Sequence, residues 1–369
     1  MPEKSSYLLV LTNLATILIL LKILKPALVG RCANINIKCS YILIFLFCMF
    51  SFWGADWFGY FTEFNAQKEG WNTHLEEFYK ILINNYVVDY LQFRFVIWGG
   101  ALLFLYLTLK RFEVDKGIAL YCFVACTLIW FSYARVSLAM ACMMYGASFF
   151  VSKNKKLNLK TVIIGVSFLV LSVLFHKSAI FGAVVVAISY FAMNAKRFMK
   201  LGLLALPFMV LLVSGWLMSY MQMDAEADEG LMAQAMTSGQ NYMSAKSNFS
   251  GIGTMIAHIL EYLPKYMLAY LCFKYVNENT KMSPKMLFLI NIFFYVMLTS
   301  SIFFFDLGYN TNTIYIRFQR FAIIPMFIVL AYFYEVRYKM QLTNMVLKLA
   351  LIGALYTVTY AAYDAYFQS

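Results

Sequence analysis

Long apolar runs, separated by short polar or charged segments, dominate the chain. A full crossing of the hydrocarbon core takes about 20 apolar residues in a helix, so several of these runs are short for a span. The pattern predicts an all-α polytopic membrane protein with about 10 to 12 transmembrane helices. The runs lie near residues 7–24, 40–54, 93–109, 118–133, 136–152, 161–175, 179–193, 201–220, 253–273, 286–305, 317–335 and 344–362.

Composition supports a membrane location over the whole length. Of the 369 residues, 62% are hydrophobic and 13% are charged, and the mean hydropathy is +0.69. Soluble domains contain about 45–50% apolar and about 25% charged residues, so this chain has too little polar surface to cover a globule in water. These values exclude a soluble domain, a disordered chain and a disulfide-rich secreted fold. We expect one integral membrane domain over residues 1–369.

Basic residues lie mainly in alternate connections between the apolar runs. Six such connections hold 20 of the 30 Lys and Arg residues but four of the 18 acids. The positive-inside rule makes these connections cytoplasmic, which predicts that both termini are extracytoplasmic. Two outer connections, 55–92 and 221–252, are long, which favours a function on the extracytoplasmic side of the membrane. Because the positive charge is dispersed, it gives no basic stripe for nucleic acid, and we exclude that partner.

The seven cysteines lie in the first cytoplasmic connection or within predicted spans. Since none is in an outer loop, we expect reduced thiols that pack as small apolar side chains. Cys122 and Cys126, at i, i+4 spacing, are expected to pack rather than to bind a metal. The sequence has no phosphate-binding lysine loop, dinucleotide glycine fingerprint or nucleophile elbow. We therefore expect neither a cofactor nor a metal.

Ionisable side chains in or beside the predicted spans gather at the outer ends. A charged residue at the bilayer centre costs at least ~2.5 kcal/mol, so such residues are candidates for function. We therefore predict a site on the extracytoplasmic face. The residues are Asp56, Glu76, Arg94, Arg135, His176, Lys177, Glu261, Lys265, Arg317 and Arg320, together with His74 and His258.

Three of the arginines are candidate ligands for phosphate. Arg135 interrupts the apolar stretch 118–152, and Arg317 and Arg320 share one face at the start of a helix. A guanidinium group is a planar, permanently charged fork that suits a diphosphate. Contacts with lipid headgroups at the membrane interface explain the same positions equally simply.

His258, Glu261 and Lys265 are spaced i, i+3 and i+7, which places them along one stripe of a helix around Pro264. They either neutralise one another or form a proton path of the kind found in transporters. A transporter would share this stripe and a basic outer cavity, but it usually shows an internal repeat. We detect no repeat, and the long outer connections indicate a one-sided site. These features favour an enzyme.

Motifs in the first outer connection resemble the EpsG-type polysaccharide polymerases, relatives of the Wzy-like O-antigen polymerases. Gly54-Ala55-Asp56 with Tyr60 is similar to the Gly-x-Asp-x-x-x-Tyr element of that family. The segment 75–79, Leu-Glu-Glu-Phe-Tyr, is similar to its Glu-Pro-aromatic segment. The chain departs from the pattern at 52–53, Phe-Trp, where the family usually has an arginine, and at Glu77, which replaces the proline.

Two further motifs and a late pair of arginines complete the resemblance. Arg135 with Ala139 is similar to the Arg-x-x-x-Ala helix start of the family. The segment Phe175-His176-Lys177-Ser178-Ala179 resembles its His-x-Ser-Ala turn. Arg317 and Arg320 occupy the place of its late outer arginine. All these elements fall on the membrane face that the charge pattern predicts to be outer.

The resemblance implies a glycosyltransferase-C-like, metal-independent membrane enzyme. Such an enzyme moves a growing glycan from polyprenyl diphosphate onto a lipid-linked repeat unit, at the outer face of the bacterial inner membrane. The implied partners are polyprenyl-diphosphate-linked oligosaccharides, membrane lipids and a chain-length regulator protein. A flippase of lipid-linked oligosaccharides, an O-antigen ligase and a membrane acyltransferase are the alternatives.

The chemistry of this reaction divides the candidate residues into two groups. Fixed positive charge would stabilise the departing diphosphate, and a base would take the proton of the acceptor hydroxyl. Aromatic residues in the first outer connection would stack on sugar faces, unless they form an interfacial belt. We expect His176 to act as base or to orient the hydroxyl. The catalytic candidates are His176, Asp56 and Glu76, and the substrate-binding candidates are Arg135, Arg317, Arg320, Tyr60 and Lys177.

Overall fold

The structure of the protein is a computed structural model. For Asp56, Arg135 and His258 it describes the backbone but not the side chain. Within the described ranges the chain is helical and contains no strand, which confirms the all-α class for this part. The described residues are 7–50, 55–71, 73, 75–131, 134–151, 158–193, 252–278, 282–304 and 318–367.

Short connections and three 3₁₀ turns join the α-helices. Asp89, Asp115 and Asn158 each cap the N-terminus of the next helix, because their side-chain oxygens accept a hydrogen bond from an N–H of its first turn. The 3₁₀ turns are Lys25–Val29, Ser148–Phe150 and Arg320–Ala322. The helices are α1 (Tyr7–Leu24), α2 (Asn34–Phe50), α3 (Ala55–Lys68), α4 (Glu77–Asn85), α5 (Tyr90–Phe112), α6 (Lys116–Cys126), α7 (Leu128–Phe131), α8 (Ala134–Ala147), α9 (Leu159–Phe175), α10 (Ala179–Ala192), α11 (Ile252–Glu278), α12 (Pro284–Phe304), α13 (Ile323–Glu335) and α14 (Met340–Phe367).

Helices occur at every predicted apolar run except 201–220, which lies outside the described residues. In this part of the chain, four stretches are long and apolar enough to cross a membrane. The predicted 10 to 12 crossings are not reached there, because helices such as α6 and α10 have 11 and 14 residues. The four stretches are Leu11–Val29, Tyr90–Phe112, Pro284–Ser301 and Met340–Thr359.

The centre of the molecule is built from helices that are apolar on all sides. In α13 every residue from Ile323 to Tyr334 is buried except Tyr332. The helix α6 packs against α13, α14 and α1, and α8 packs between α5 and α9. In contrast, α9 exposes an apolar stripe at helical spacing, which suits contact with lipid. The stripe consists of Leu159, Ile163, Val166, Val170 and Leu174.

The segment 55–92, predicted as an outer loop, contains the helices α3 and α4. Its aromatic side chains pack on the start of α5: the ring of Phe64 lies 5.7 Å from that of Phe93, and Tyr79 lies 5.8 Å from Phe93. This burial orders a segment whose composition resembles a loop. The position of 55–92 outside the membrane and the single-domain organisation stay predictions. Residues 221–251 of the second predicted loop lie outside the described residues.

The helix α11 packs closely against a glycine of α14 beside its internal proline. Pro264 has no N–H, so the carbonyl of Leu260 loses its usual partner within the helix. A Cβ atom at Gly353 would lie 2.6 Å from this carbonyl oxygen. Only glycine therefore lets the two helices approach this closely.

The C-terminal end of α11 is tied to the turn between α13 and α14. The carboxylate of Glu278 accepts hydrogen bonds from the Tyr338 hydroxyl at 2.8 Å and from Lys339 Nζ at 2.9 Å. These bonds lower the pKa of Glu278. The turn needs two residues at positive φ, Arg337 at 51° and Lys339 at 40°.

We expect Gly353→Ala to lower the melting temperature of the purified protein in detergent. The new methyl group would collide with the backbone of Leu260, and overpacking typically costs about 1–3 kcal/mol. Gly99→Ala is the matched control, because a Cβ at Gly99 meets nothing within 4 Å. Alanine in place of glycine within a helix stabilises by roughly 0.5–1 kcal/mol, so Gly99→Ala should keep or raise the melting temperature. Equal effects of both substitutions would contradict the close approach.

Thiol labelling tests the predicted orientation. Cys39 is exposed, and the pKa of the half-buried Cys32 is raised by burial and by the Asp115 carboxylate, so Cys39 should react first. We expect a membrane-impermeant maleimide to label Cys39 only after the membrane that holds the protein is opened. A cysteine introduced by Tyr86→Cys, at the exposed end of α4, should react while that membrane is intact. The reverse result would overturn the orientation, and Cys39→Ser identifies the labelled thiol.

Candidate functional site

The start of α4 carries one of the predicted catalytic carboxylates. Glu76 is half-buried and precedes α4 with extended backbone, φ −62° and ψ 148°, and its side chain does not cap the helix. Its carbonyl instead accepts from the N–H groups of Tyr79 and Lys80. Two residues further on, the ring of Phe78 meets that of Phe175 edge to face at 4.7 Å. This contact brings the start of α4 to the end of α9.

The connection between α9 and α10 is a tight turn built around His176. The N–H of His176 donates to the Ser172 carbonyl at 3.1 Å, and its own carbonyl accepts from the N–H of Ala179 at 2.8 Å. The N–H of His176 thus makes the last hydrogen bond of α9, and the carbonyl of His176 accepts the first hydrogen bond of the turn that opens α10. The His176 side chain is half-buried, and its Nδ1 lies 2.6 Å from the Ser178 hydroxyl. Lys177 is exposed.

The first turn of α10 packs on the segment that carries Arg320. The rings of Phe181 and Phe318 are stacked, with centroids 4.0 Å apart and an interplanar angle of 11°. Arg320 opens the 3₁₀ turn two residues after Phe318 and is half-buried. The helix α8, which has Arg135 as its second residue, contacts both α10 and this 3₁₀ turn. The turn therefore adjoins α8 and the first turn of α10.

A buried ion pair lies beside Arg320. The Nζ atom of Lys265 lies 2.6 Å from Glu261 Oε1, and the two side chains are 3% and 8% exposed. Lys265 also donates to Gln319 Oε1 at 3.2 Å. This geometry supports mutual neutralisation, which was one of the two interpretations of the stripe. It also holds the segment before Arg320 against α11.

The structure thus gathers several of the predicted site residues at one set of helix ends. Glu76, His176, Lys177 and Arg320 belong to elements joined by the two phenylalanine contacts. Asp56 and Tyr60 lie on α3, which packs against α4. Arg135 lies in the first turn of α8, and Arg317 is outside the described residues.

The sequence did not reveal what Arg94, Gln319 and Ser178 do. Arg94 is 3% exposed and donates to the carbonyls of Cys48 and Met49 at the end of α2. A cation at a helix C-terminus satisfies open carbonyls and complements the helix dipole. Arg94 therefore fixes the point where the chain leaves α2 towards Asp56. An arginine at the outer end of a span was the signal for Arg94, whereas an uncharged Gln or Ser gives none.

The described residues contain no group of three or more His, Cys, Asp or Glu side chains that could hold a metal ion. The functional groups of the candidate site residues in the described part are carboxylates, one imidazole, guanidinium groups and aromatic rings. These groups can bind an anion, accept a proton and stack on a sugar face.

Four long apolar stretches among the described residues indicate a membrane protein. The chain belongs to the EpsG family, whose model matches residues 34–368. No curated protein and no solved structure matches it. The match confirms the resemblance seen in the sequence and extends it over nearly the whole chain. Membership of the family indicates a membrane polysaccharide polymerase that acts on lipid-linked substrates.

We expect Lys265→Met to lower the melting temperature strongly. Removing the lysine leaves the Glu261 carboxylate buried and without its cation, and breaking a buried pair typically costs roughly 3–5 kcal/mol. Lys80→Met is the matched control, since Lys80 pairs with Glu77 at 2.8 Å but Glu77 is 80% exposed. An exposed pair is worth about 0–1 kcal/mol. Thermal unfolding in detergent compares the variants, and equal shifts would show that the Lys265 pair is not buried.

Proposed function

We propose that the protein is a glycosyltransferase that extends a polysaccharide at the extracytoplasmic face of the bacterial inner membrane. The donor is a growing glycan on polyprenyl diphosphate, and the acceptor is the free sugar of a lipid-linked repeat unit. The bond between the anomeric carbon and the diphosphate breaks, and a bond from that carbon to the acceptor oxygen forms. The hydroxyl proton passes to a base. The observation that carries the proposal is that α8 and the first turn of α10 pack against the Arg320 segment, while the start of α4 packs on the end of α9 next to His176, in a member of the EpsG family.

The positive side chains suit the leaving group. The diphosphate departs with negative charge, and guanidinium groups fixed by the fold stabilise that charge without reorganising. Arg135, Arg317 and Arg320 would share this role, with exposed Lys177 at the rim. Arg320 is held in place from two sides, by the stacking of Phe318 on Phe181 and by the bond from Lys265 to Gln319.

The carboxylates and the imidazole are the groups that would act on the acceptor sugar. Asp56, Glu76 and His176 are the candidates for receiving the hydroxyl proton. The Glu76 side chain lies at the start of α4, where it does not cap the helix. Tyr60, on α3, would contact the sugar, because tyrosine offers a flat apolar face and a hydroxyl.

The remaining features of the proposal follow from the same chemistry. Three arginines supply the charge that a metal ion supplies in other enzymes, so we propose a metal-independent, glycosyltransferase-C-like enzyme of the Wzy type. Polyprenyl-diphosphate-linked oligosaccharides are its substrates, and a chain-length regulator is a further partner. A flippase finds less support, since Lys265 and Glu261 of the membrane stripe form an ion pair with each other.

Purified protein in liposomes with a polyprenyl-diphosphate-linked repeat unit should form ladders of longer glycans, with or without a chelator. Arg135→Ala and His176→Ala should each lower the rate, by about 10²–10³-fold if they remove a group that stabilises developing charge. Arg31→Ala, in an exposed arginine of a predicted cytoplasmic connection, is the control and should keep the native rate. If no ladder forms and the lipid-linked sugar crosses the bilayer instead, the protein is a flippase.

A further inference from the structure

Two hydrogen bonds meet at a single ring nitrogen of His176. The backbone N–H of Ser178 donates to Nδ1 at 3.3 Å. The hydroxyl of Ser178 lies 2.6 Å from the same nitrogen. Both groups belong to the residue that precedes the first turn of α10, so the imidazole sits over the N-terminus of that helix.

The backbone donor decides which way the second bond runs. A hydroxyl can donate or accept, but a backbone N–H can only donate. Nδ1 must therefore offer its lone pair, which means that it carries no hydrogen. The Ser178 hydroxyl then also donates to Nδ1. In a neutral imidazole with a bare Nδ1, the hydrogen is on Nε2.

The helix below the ring favours the same state. The N-terminus of a helix carries a partial positive charge, which disfavours a charged imidazolium next to it. The 14 residues of α10 extend this dipole directly behind Ser178. An imidazolium would also place a hydrogen on Nδ1, against the N–H of Ser178.

We infer that His176 meets the substrate as a neutral hydrogen-bond donor through Nε2–H, and that Ser178 is the positioning residue that sets this tautomer. The inference rests on the proposed function for its substrate. The oxygens that gain negative charge are those of the leaving diphosphate, and Nε2–H donates to one of them. No proton is transferred by His176. The proton of the acceptor hydroxyl passes to a carboxylate, either Asp56 or Glu76, and the assignment of His176 as base is replaced.

The tautomer is measurable without substrate. The chain has three histidines, so nitrogen NMR of protein labelled with ¹⁵N-histidine gives few signals, and those lost in His176→Gln belong to His176. We expect an unprotonated Nδ1 and a protonated Nε2 in the native protein. Ser178→Ala removes the 2.6 Å hydroxyl bond and keeps only the longer backbone bond, so it should weaken the preference and introduce a fraction of the other tautomer, and Ser178→Thr should restore the native signals. Ser189→Ala, which removes another hydroxyl bond of α10, should change nothing. A protonated Nδ1 in the native protein would overturn the inference.

Two substitutions at position 176 separate a donor from a base. The side-chain amide of glutamine places an N–H near the position of Nε2, whereas that of asparagine lies near Nδ1. Neither amide can act as a base. A donor role predicts that His176→Gln keeps the ladder-forming rate within about tenfold of the native rate, because the donor that stabilises charge is kept. His176→Asn and His176→Ala should both fall well below it.

The outcomes distinguish this inference from the proposed function. If the native protein forms ladders but His176→Gln is as slow as His176→Ala, the donor role is wrong and a base is favoured, since loss of a general base costs about 10²–10⁴-fold. If the native protein forms no ladders, the proposed function fails, and the NMR result still decides the tautomer.

Discussion

A chain surrounded by lipid must satisfy its own backbone hydrogen bonds and keep charges away from the bilayer centre. Helices meet the first condition, which is why apolar runs become helices throughout the described residues. The second condition drives reactive side chains to helix ends. In this protein Glu76, His176 and Arg320 all lie within a residue of the start or end of a helix or 3₁₀ turn. The candidate reactive side chains therefore lie at the turns between helices.

Turns at the end of a bundle need to be held together by something other than their own short backbones. Here the rings of Phe78 and Phe175, and those of Phe181 and Phe318, join the turns in pairs. Aromatic pairs keep their strength in an apolar setting, because they have no charge to desolvate. Lys265 and Glu261 add a buried ion pair, which carries no net charge. Together these contacts fix polar side chains without placing further charges in the membrane.

The sequence predicted the helices better than the connections. The apolar runs 161–175 and 179–193 agree with α9 and α10 to within two residues, because each run is bounded by polar residues. The helices within 55–92 were missed, since their polar residues resemble a loop and their aromatic residues pack only in three dimensions. The single run 118–133 is divided at Thr127 into α6 and α7. The hydroxyl of Thr127 donates back to the Phe123 carbonyl. A residue-by-residue pattern carries no sign of that break.

In the candidate site, too, the sequence predicted some features and missed others. Charged and imidazole side chains could be selected from the sequence because they are expensive in a membrane, and this selected Glu76, His176 and Arg320. The partners that orient them are small and uncharged, such as Ser178 and Gln319, and such residues are common in membrane helices for other reasons. Their part in the arrangement depends on which atoms face each other. Distances of 2.6 Å and 3.2 Å reveal it, and composition does not.

The contact between Gly353 and the Leu260 carbonyl has a mechanical consequence. A proline bend is normally a hinge, at which the two halves of a helix can tilt independently. In α11 the carbonyl that Pro264 leaves without a partner lies against Gly353 of α14, and the C-terminal end of the helix is hydrogen-bonded through Glu278 to the turn before α14. With a close contact near Pro264 and hydrogen bonds at Glu278, α11 is joined at two points to α14 and to the turn that precedes it. Any tilt of the half of α11 that carries Lys265 must therefore displace the C-terminal helix as well.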